Sequence, residues 1–461
     1  MKRWWCLFLE AVRGSDRDYT TGPIGSALIL LSVPMVLEMA MESLFAVVDV
    51  FFVSRVGADA VATVGVTESM LTIVYTVAMG LGIGATAVVS RRMGEKDDEG
   101  AAQAAAQAIA LGLILSVAIG AFGWFNAERL LRMMGATPEM IDSSLGYAQV
   151  MLAGNVTVTL LFLNNAIFRG AGDPAIAMRV LWIGNAINIV MDPVLIFGLG
   201  PFPELGVTGA AVATNTGRGI AVAIQFWTLW SGKSRIHLTR RHLELVPVVM
   251  WNVCRLSGVG FLQILIDTTS YIGLVRVIAM FGSDALAGYT IAIRIVIFAM
   301  LPAWGFSNAA ATMVGQALGA GKAERAEQAV WVAAKYNGLV LGLVGALFVI
   351  FAAPIVSVFT SDPAVAPSAV ACLWIVSTGF VFFAYGLVFT QSFNGAGDTW
   401  TPTWINFGCF WLWQIPLAWL LAVRLGMGPT GVFIAMTVAF STLAIVSGLI
   451  FRMGRWKTRK V

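Results

Sequence analysis

The chain has 461 residues, of which 58% are hydrophobic and 12% are charged, and its formal net charge at pH 7 is +4. A soluble globular protein carries about twice that charged fraction, so the composition argues against a soluble enzyme. The apolar runs are long and continuous rather than alternating, which disfavours a membrane β-barrel and favours membrane helices of about 20 residues each.

Twelve apolar runs of spanning length follow one another along the chain. They begin after a short segment with Trp4 and Trp5, which we predict to be a helix in the membrane interface. A polar, basic stretch at 232–247 divides the runs into two sets of six. The predicted helices cover 26–54, 61–90, 101–125, 143–168, 175–199, 206–231, 248–279, 284–315, 327–353, 366–393, 401–423 and 428–451.

This order of elements predicts an all-α membrane protein with two six-helix lobes. We expect an N-terminal cytoplasmic or interfacial segment (1–22), an N-lobe (23–231) and a cytoplasmic linker (232–247). A C-lobe (248–453) and a basic cytoplasmic tail (454–461) would follow.

Lysine and arginine residues are concentrated in every second connection between the predicted helices. The positive-inside rule places these connections and both termini in the cytoplasm, which agrees with an even number of helices. We therefore expect a multi-pass protein of the cell inner (plasma) membrane, with the lipid bilayer and not a nucleic acid as the partner of its basic residues. The basic set includes Lys2, Arg3, Arg91, Arg92, Arg169, Arg240, Arg241, Lys322, Arg325, Arg455 and Lys460.

Loop motifs of the first half recur in the second half at a nearly constant spacing. Phe168-Arg-Gly-Ala-Gly-Asp173 returns as Phe393-Asn-Gly-Ala-Gly-Asp398, and Gly57-Ala-Asp-Ala60 returns as Gly282-Ser-Asp-Ala285, both 225 residues later (57 to 282, 173 to 398). The copies lie six predicted helices apart, so both halves enter the membrane in the same direction. Such a parallel repeat, related by an axis along the membrane normal, is typical of alternating-access carriers.

Ionisable residues inside a bilayer are costly, and in this chain the carboxylates among them concentrate in the first half. Asp49 and Asp192 lie at similar depth near the outer ends of the first and fifth predicted helices. Asn188 is one turn from Asp192 on the same face, and Ala210 and Thr214 lie one and two turns inside the sixth helix. This hard-oxygen set suits Na⁺, or a proton shared between the carboxylates.

Further polar candidates lie on the first, second and sixth predicted helices. Glu38 and Glu42 are nearer mid-membrane and could line a substrate path or pair with Arg218. Glu68 is a further candidate for the cation site or the pathway. Pro34 removes a helix hydrogen bond and could act either as a fixed bend or as a hinge of the first helix.

These motifs together resemble the MATE (multidrug and toxic compound extrusion) family, prokaryotic type, over about 20–455. The segments that carry the resemblance are Pro34 with Ala46–Val53, Arg169–Pro174, Asn188–Pro193 and Gly206–Thr214. The resemblance implies export of organic, often cationic and amphipathic compounds, driven by inward H⁺ or Na⁺. It also implies a first-lobe cation site of Asp49, Asn188, Asp192, Thr214 and the Ala210 carbonyl.

The same resemblance raises two questions about neighbouring sites. A further asparagine is expected on the fourth helix, and Asn165 or Asn164 could fill that place. Some members instead carry acids on the seventh and tenth helices. In this sequence the tenth helix has none and Asp267 is the only candidate on the seventh, which favours coupling in the first lobe.

Other function classes fit the sequence less well. The only two histidines, His237 and His242, lie in the predicted linker, so no zinc-protease or buried Ser–His motif is available for an enzyme. Gly232-Lys-Ser234 lacks the glycine and the preceding strand of a phosphate loop. The alternative that remains is a lipid or lipid-linked-sugar flippase of a related fold, which would need a cationic cleft. We expect a functional monomer without a cofactor.

Overall fold

The structure, a computed structural model, describes residues 2–15 and 17–459, and no strand occurs among them. Met1, Asp16 and the last two residues of the predicted tail, Lys460 included, lie outside the described residues. The α-helices are α1 (Lys2–Arg13), α2 (Ile24–Ser54), α3 (Ala58–Glu95), α4 (Asp98–Met133), α5 (Pro138–Ala153), α6 (Asn155–Ala171), α7 (Pro174–Phe197), α8 (Val207–Trp230), α9 (Pro247–Ala279), α10 (Ser283–Gly319), α11 (Ala323–Ile350), α12 (Ala352–Ser357), α13 (Ala366–Ser377), α14 (Phe380–Gly395), α15 (Trp400–Asn406), α16 (Ile415–Trp419) and α17 (Pro429–Arg452).

Every predicted apolar run coincides with helix, and the all-α membrane fold is confirmed. Within the described ranges, ten helices are long and apolar enough to cross a membrane, and the α13–α14 pair, bent by 56°, makes an eleventh. Helix α8, with 24 residues, has the length for a twelfth crossing, although its hydropathy keeps it outside that set.

One membrane-spanning run contains two stretches of wider helix. Residues Trp400–Arg424 pass from α15 into a π-helix at Phe407–Gln414, through α16, and into a second π-helix at Leu420–Arg424. A π-helical stretch has more residues per turn than an α-helix and is frequently found at functional sites. The predicted run 401–423 gave no sign of this irregularity.

The segment between α8 and α9, predicted as a linker, is tied to α4. The side chain of Gln107 donates to the Glu244 carbonyl (2.9 Å) and accepts from the Val246 amide (3.1 Å). His242 Nε2 lies 2.7 Å from Glu99 Oε2. Because Gln107 is buried and both ends of its side-chain amide bond to this segment, the linker has a defined path over α4.

The chain divides into two compact units. Unit 1 contains the described parts of Met1–Phe8, Asp16–Val36 and Leu262–Val461, and unit 2 contains Leu9–Ser15 and Leu37–Phe261. Helices α1, α2 and α9 therefore each contribute to both units, and α2 changes unit between Val36 and Leu37. Each unit has its own buried apolar core.

The repeated glycines have matching backbone conformations in the two halves. Gly172 and Gly397 have φ angles of 91° and 81°, and Gly206 and Gly428 have φ angles of 55° and 61°. Residues other than glycine rarely adopt these backbone angles, so the repeat preserves the turns at which the helices begin and end.

The aspartate of each Gly-Ala-Gly-Asp motif pairs with an arginine of its own unit. Arg235 Nε lies 3.3 Å from Asp173 Oδ1, and Arg459 Nη2 lies 3.3 Å from Asp398 Oδ1. Each arginine follows the last helix of its half. The repeated aspartate thus fastens the end of that helix to the loop after the fourth helix of the same half.

Candidate functional site

Helices α7 and α8 pack closely because glycines face each other where they cross. A Cβ atom on Gly217 would lie 2.6 Å from the Gly184 carbonyl oxygen, and one on Gly209 would lie 2.5 Å from the Leu195 carbonyl oxygen. Small residues at a helix crossing allow the backbones to approach, which is the usual basis of helix packing in membranes. The close approach brings Asn188 of α7 against Thr214 of α8.

Asn188 is the centre of a buried polar cluster in unit 2. Its Nδ2 donates to Asp192 Oδ1 (3.3 Å) one turn later on α7 and to Thr214 Oγ1 (3.1 Å) on α8. Asn188, Asp192 and Thr214 are all at most 4% exposed. Asn188 Oδ1 and Asp192 Oδ2 are buried and have no hydrogen-bond partner.

Asp49 of α2 supplies the second carboxylate of this region. It is 8% exposed, and its Oδ1 is likewise buried without a hydrogen-bond donor. It lies within electrostatic range of Asp192, of Glu68 on α3 and of the cation Arg218 on α8. Three oxygens without donors, two of them from carboxylates, are the arrangement that a proton or a small cation would satisfy.

The remaining residues predicted for this site lie beside the cluster. Ala210 is buried on α8, one turn before Thr214. Pro193 follows Asp192 inside α7 and cannot donate to the carbonyl one turn earlier, which leaves that oxygen available to other donors. Glu68 is an exposed residue of α3, and Pro34 lies inside α2.

Glu38 belongs to a second, separate network. Its Oε1 accepts from Arg169 Nη1 (2.7 Å) and from Asn165 Nδ2 (2.9 Å). Asn165 Oδ1 accepts in turn from Gln225 Nε2 (2.7 Å), and Asn164 Nδ2 donates to Gln225 Oε1 (3.1 Å). The candidate asparagines of the fourth predicted helix therefore bond to Glu38 and Gln225, not to Asn188.

Glu42 forms a third group with Arg218, and pairing with Arg218 was one of the two roles that the sequence left open for Glu38 and Glu42. Arg218 Nη2 lies 3.3 Å from Glu42 Oε1, and its Nη1 donates to the Tyr75 hydroxyl (3.3 Å). Asn185 Nδ2 lies 3.4 Å from Glu42 Oε2. Arg218 is 3% exposed, so its charge is held in the interior of unit 2 by these groups.

Asp267 lies in a cavity of about 230 Å³ inside unit 1. Both of its oxygens accept from Asn406 Nδ2, at 2.9 and 3.2 Å, while Asn406 Oδ1 is buried without a partner. The cavity walls are largely aromatic and aliphatic, with contributions from Tyr271, Leu274, Trp304, Phe383, Phe410, Met436 and Phe440.

Sequence reasoning missed several partners of these groups. Gln225 lies eleven residues after Thr214 on α8, a spacing close to three helical turns, so a face count from Thr214 and Arg218 would have included it. Asn406 and Tyr75 lie on different helices from their partners Asp267 and Arg218. Their contacts depend on how those helices pack, so no local sequence pattern indicates them. The pairing of Arg169 with Glu38 was hidden because Arg169 was assigned to a loop motif.

Comparison with known proteins gives concordant results across most of the chain. The family model MatE matches residues 34–194 and 261–420. "Probable multidrug resistance protein NorM" of Thermotoga maritima is 26% identical over 95% of this chain and 94% of its own length.

Solved structures show the same fold. A MOP superfamily transporter from Pyrococcus furiosus is 26% identical, with a TM-score of 0.89 over 96% of this chain and 98% of that one. An outward-facing multidrug resistance MATE family transporter is 27% identical, with a TM-score of 0.88 over 94% of this chain and 96% of that one. The two matched blocks of the family model contain both repeats of the Gly-Ala-Gly-Asp motif and the Asn188–Asp192 pair. The chain therefore belongs to the MatE family of multi-pass membrane transporters, whose members are not enzymes.

Proposed function

We propose that this protein is a secondary active multidrug exporter that exchanges H⁺ or Na⁺ for organic compounds by alternating access. The observation that carries the proposal is the cluster in unit 2. Asp49, Asn188 and Asp192 each hold a buried oxygen that lacks a donor.

Two carboxylates that each hold a buried oxygen without a donor are unfavourable in a membrane interior when both are charged. A proton or Na⁺ bound between Asp49 and Asp192 removes that penalty. Ion binding therefore lowers the free energy of the conformation in which both carboxylates are buried. A ligand shifts a conformational equilibrium only by its difference in affinity for the two states, and this cluster can supply such a difference. Thr214 and the Ala210 carbonyl add neutral oxygens to the same site.

Pro34 is proposed as the hinge of this cycle. It lies inside α2, fifteen residues before Asp49 and three residues before Leu37, where α2 changes from unit 1 to unit 2. A proline leaves one backbone carbonyl without its helix donor, so bending there costs less than elsewhere in the helix.

The exported compounds are proposed to be cationic or amphipathic small molecules. Relatives of this chain are named multidrug resistance proteins, and that similarity is what supports the proposed cargo. We further propose that the protein works as a monomer. We also propose that it lies in the inner membrane with both termini in the cytoplasm, as the distribution of basic residues indicates.

The test is transport by purified protein in proteoliposomes, with a pH gradient and a sodium gradient imposed separately. Asp192→Asn is expected to lower gradient-driven export of a cationic dye at least tenfold. The reason is that the neutral amide can neither take up a proton nor offer Na⁺ a negative charge. The gradient that drives the wild type identifies the coupling ion.

Asp267→Asn is the matched control, because it neutralises a buried aspartate of the other unit. Its gradient-driven export is expected to stay within about twofold of wild type, which is the effect expected from losing one weak hydrogen bond. Full coupling in Asp192→Asn together with lost coupling in Asp267→Asn would transfer the ion site to unit 1 and refute the proposal.

A further inference from the structure

A groove of about 670 Å³ runs along one side of unit 1, at the end that carries the basic tail. One wall is the run Trp400–Arg424 and the other is α17. The walls are almost entirely apolar, with Trp404, Ile405, Gly408, Cys409 and Trp413 from the first and Val446 and Ile450 from the second.

The length of the groove matches one leaflet of a bilayer. Its lining extends from Thr401 to Trp413 on one wall and from Met453 to Thr442 on the other. At 1.5 Å per residue each wall is about 17 Å long, close to half of a hydrocarbon core of about 30 Å.

The end of the groove next to the tail is polar and carries an excess of positive charge. Arg455 and Arg459 line it, and Asp398 is the single acid among the lining residues. Asp398 is already neutralised by Arg459 at 3.3 Å and accepts from Thr401 Oγ1 at 2.7 Å. Arg455 is exposed at this end and leaves the rim with one net positive charge.

The tail that carries these arginines is fixed in place. Trp456 is 1% exposed, stacks on Phe451 with ring centroids 4.7 Å apart, and donates from Nε1 to the Phe451 carbonyl (2.9 Å). The rim is therefore part of the folded unit. Trp404, in contrast, is 64% exposed on the outer wall near the rim, where an indole ring favours a membrane interface, and Trp413 is 45% exposed at the other end of that wall.

We infer that this groove binds one anionic phospholipid, with the headgroup phosphate at Arg455 and Arg459 and an acyl chain along the walls. Basic pockets between membrane helices are suited to anionic headgroups, and Trp404, one turn from the rim, fits the boundary between headgroup and chain. The long apolar walls favour a lipid over free phosphate as the ligand, because free phosphate would contact only the arginines at the rim.

Gly408 offers a way to close the groove without disturbing the fold. A Cβ atom built on it meets nothing within 4 Å, and it lies in the π-helical stretch Phe407–Gln414. A leucine at this position would extend into the groove and occupy the space assigned to the acyl chain.

The test measures lipid retained by the delipidated, purified protein in native mass spectrometry. Phosphatidylglycerol is compared with phosphatidylcholine of the same acyl chains. Wild type is expected to retain phosphatidylglycerol preferentially. Arg455→Ala is expected to lower that preference about fivefold, the effect of one basic residue at an anionic surface. Gly408→Leu is expected to lose the bound lipid while unfolding at the wild-type temperature.

Arg424→Ala is the control, because Arg424 also lies beside a tryptophan, 5.1 Å from the Trp419 ring, but at the opposite end of the same run. It should retain the wild-type preference. A photoactivatable phosphatidylglycerol should label peptides from 401–413 and 442–453 of the unaltered protein. Labelling elsewhere, or an unchanged preference in Arg455→Ala, would overturn the inference.

Discussion

Removing Arg169 should destabilise unit 2 by leaving Glu38 as an uncompensated charge. Glu38 is 2% exposed, and its Oε1 accepts from Arg169 Nη1 at 2.7 Å and from Asn165 Nδ2 at 2.9 Å. Its Oε2 is buried and has no donor. In Arg169→Met the aliphatic part of the side chain is largely kept, while Glu38 retains a single amide donor.

Breaking a buried ion pair by removing one partner costs about 3–5 kcal/mol, whereas replacing both partners by neutral groups is often nearly neutral. We therefore expect Arg169→Met to lower the free energy of unfolding by about 3 kcal/mol or more. Adding Glu38→Gln should restore most of that loss. The second half supports this, because the positions 225 residues later are Gln263 and Asn394, both buried and both uncharged.

The assay is reversible unfolding in mixed micelles, with the two single variants and the double variant forming a thermodynamic cycle. Arg92→Met is the control, because Arg92 makes exposed ion pairs with Glu95 (3.1 Å) and Asp97 (3.3 Å). Exposed pairs contribute about 0–1 kcal/mol. A loss in Arg169→Met no larger than in Arg92→Met, or no recovery in the double variant, would refute the reasoning.

Two further predictions concern helix packing and the repeated motif. Gly217→Ala should cost about 1–3 kcal/mol in thermal or detergent unfolding, because its Cβ would lie 2.6 Å from the Gly184 carbonyl oxygen. Gly219→Ala, whose Cβ meets only a methyl group at 3.8 Å, should be tolerated. Asp173→Ala should make the segment after α8 more accessible to limited proteolysis, since Arg235 loses its carboxylate partner; unchanged cleavage would contradict this role.

The helices and their turns were predictable from the sequence because they depend on local patterns. A bilayer requires about 20 apolar residues per crossing, and the glycines at 172 and 397 mark the turns where φ is positive. The depth argument also placed Asn188, Asp192 and Thr214 within the first turns below the outer ends of neighbouring helices, and the structure joins them by hydrogen bonds.

Apart from the Glu42–Arg218 pair, the partners of the buried charges were not predictable in the same way. Asn406 reaches Asp267 from a π-helical stretch, whose wider turn changes which residues share a face. Asn165 could be placed on its helix but not in a network, since a rotation of that helix by one residue would turn another side chain toward Glu38. Such choices depend on packing between helices far apart in the chain.

Comparing the two halves of the repeat distinguishes residues needed for the fold, which recur in both halves, from residues of the candidate site, which do not. The loops are duplicated, but the position 225 residues after Asp49 is Leu274, and the position 222 residues after Thr214 is Met436. Both are buried and line the cavity of unit 1. The same scaffold therefore folds with apolar residues where unit 2 has polar ones, so stability does not require the cluster around Asn188.

It follows that neutralising the cluster should separate function from stability. Asp49→Asn should keep or raise the unfolding temperature, because its buried oxygen without a donor is destabilising. Thr214→Val should lower that temperature only slightly, because it removes one neutral hydrogen bond from Asn188 Nδ2. Ion-coupled export should fall in both variants. The measurement is thermal unfolding of each variant in detergent beside its transport in proteoliposomes. For a chain of this size about 1 kcal/mol corresponds to a few degrees at most. A larger fall in either variant would mean that the cluster holds the helices together, and that the divergence between the two halves has a structural cause.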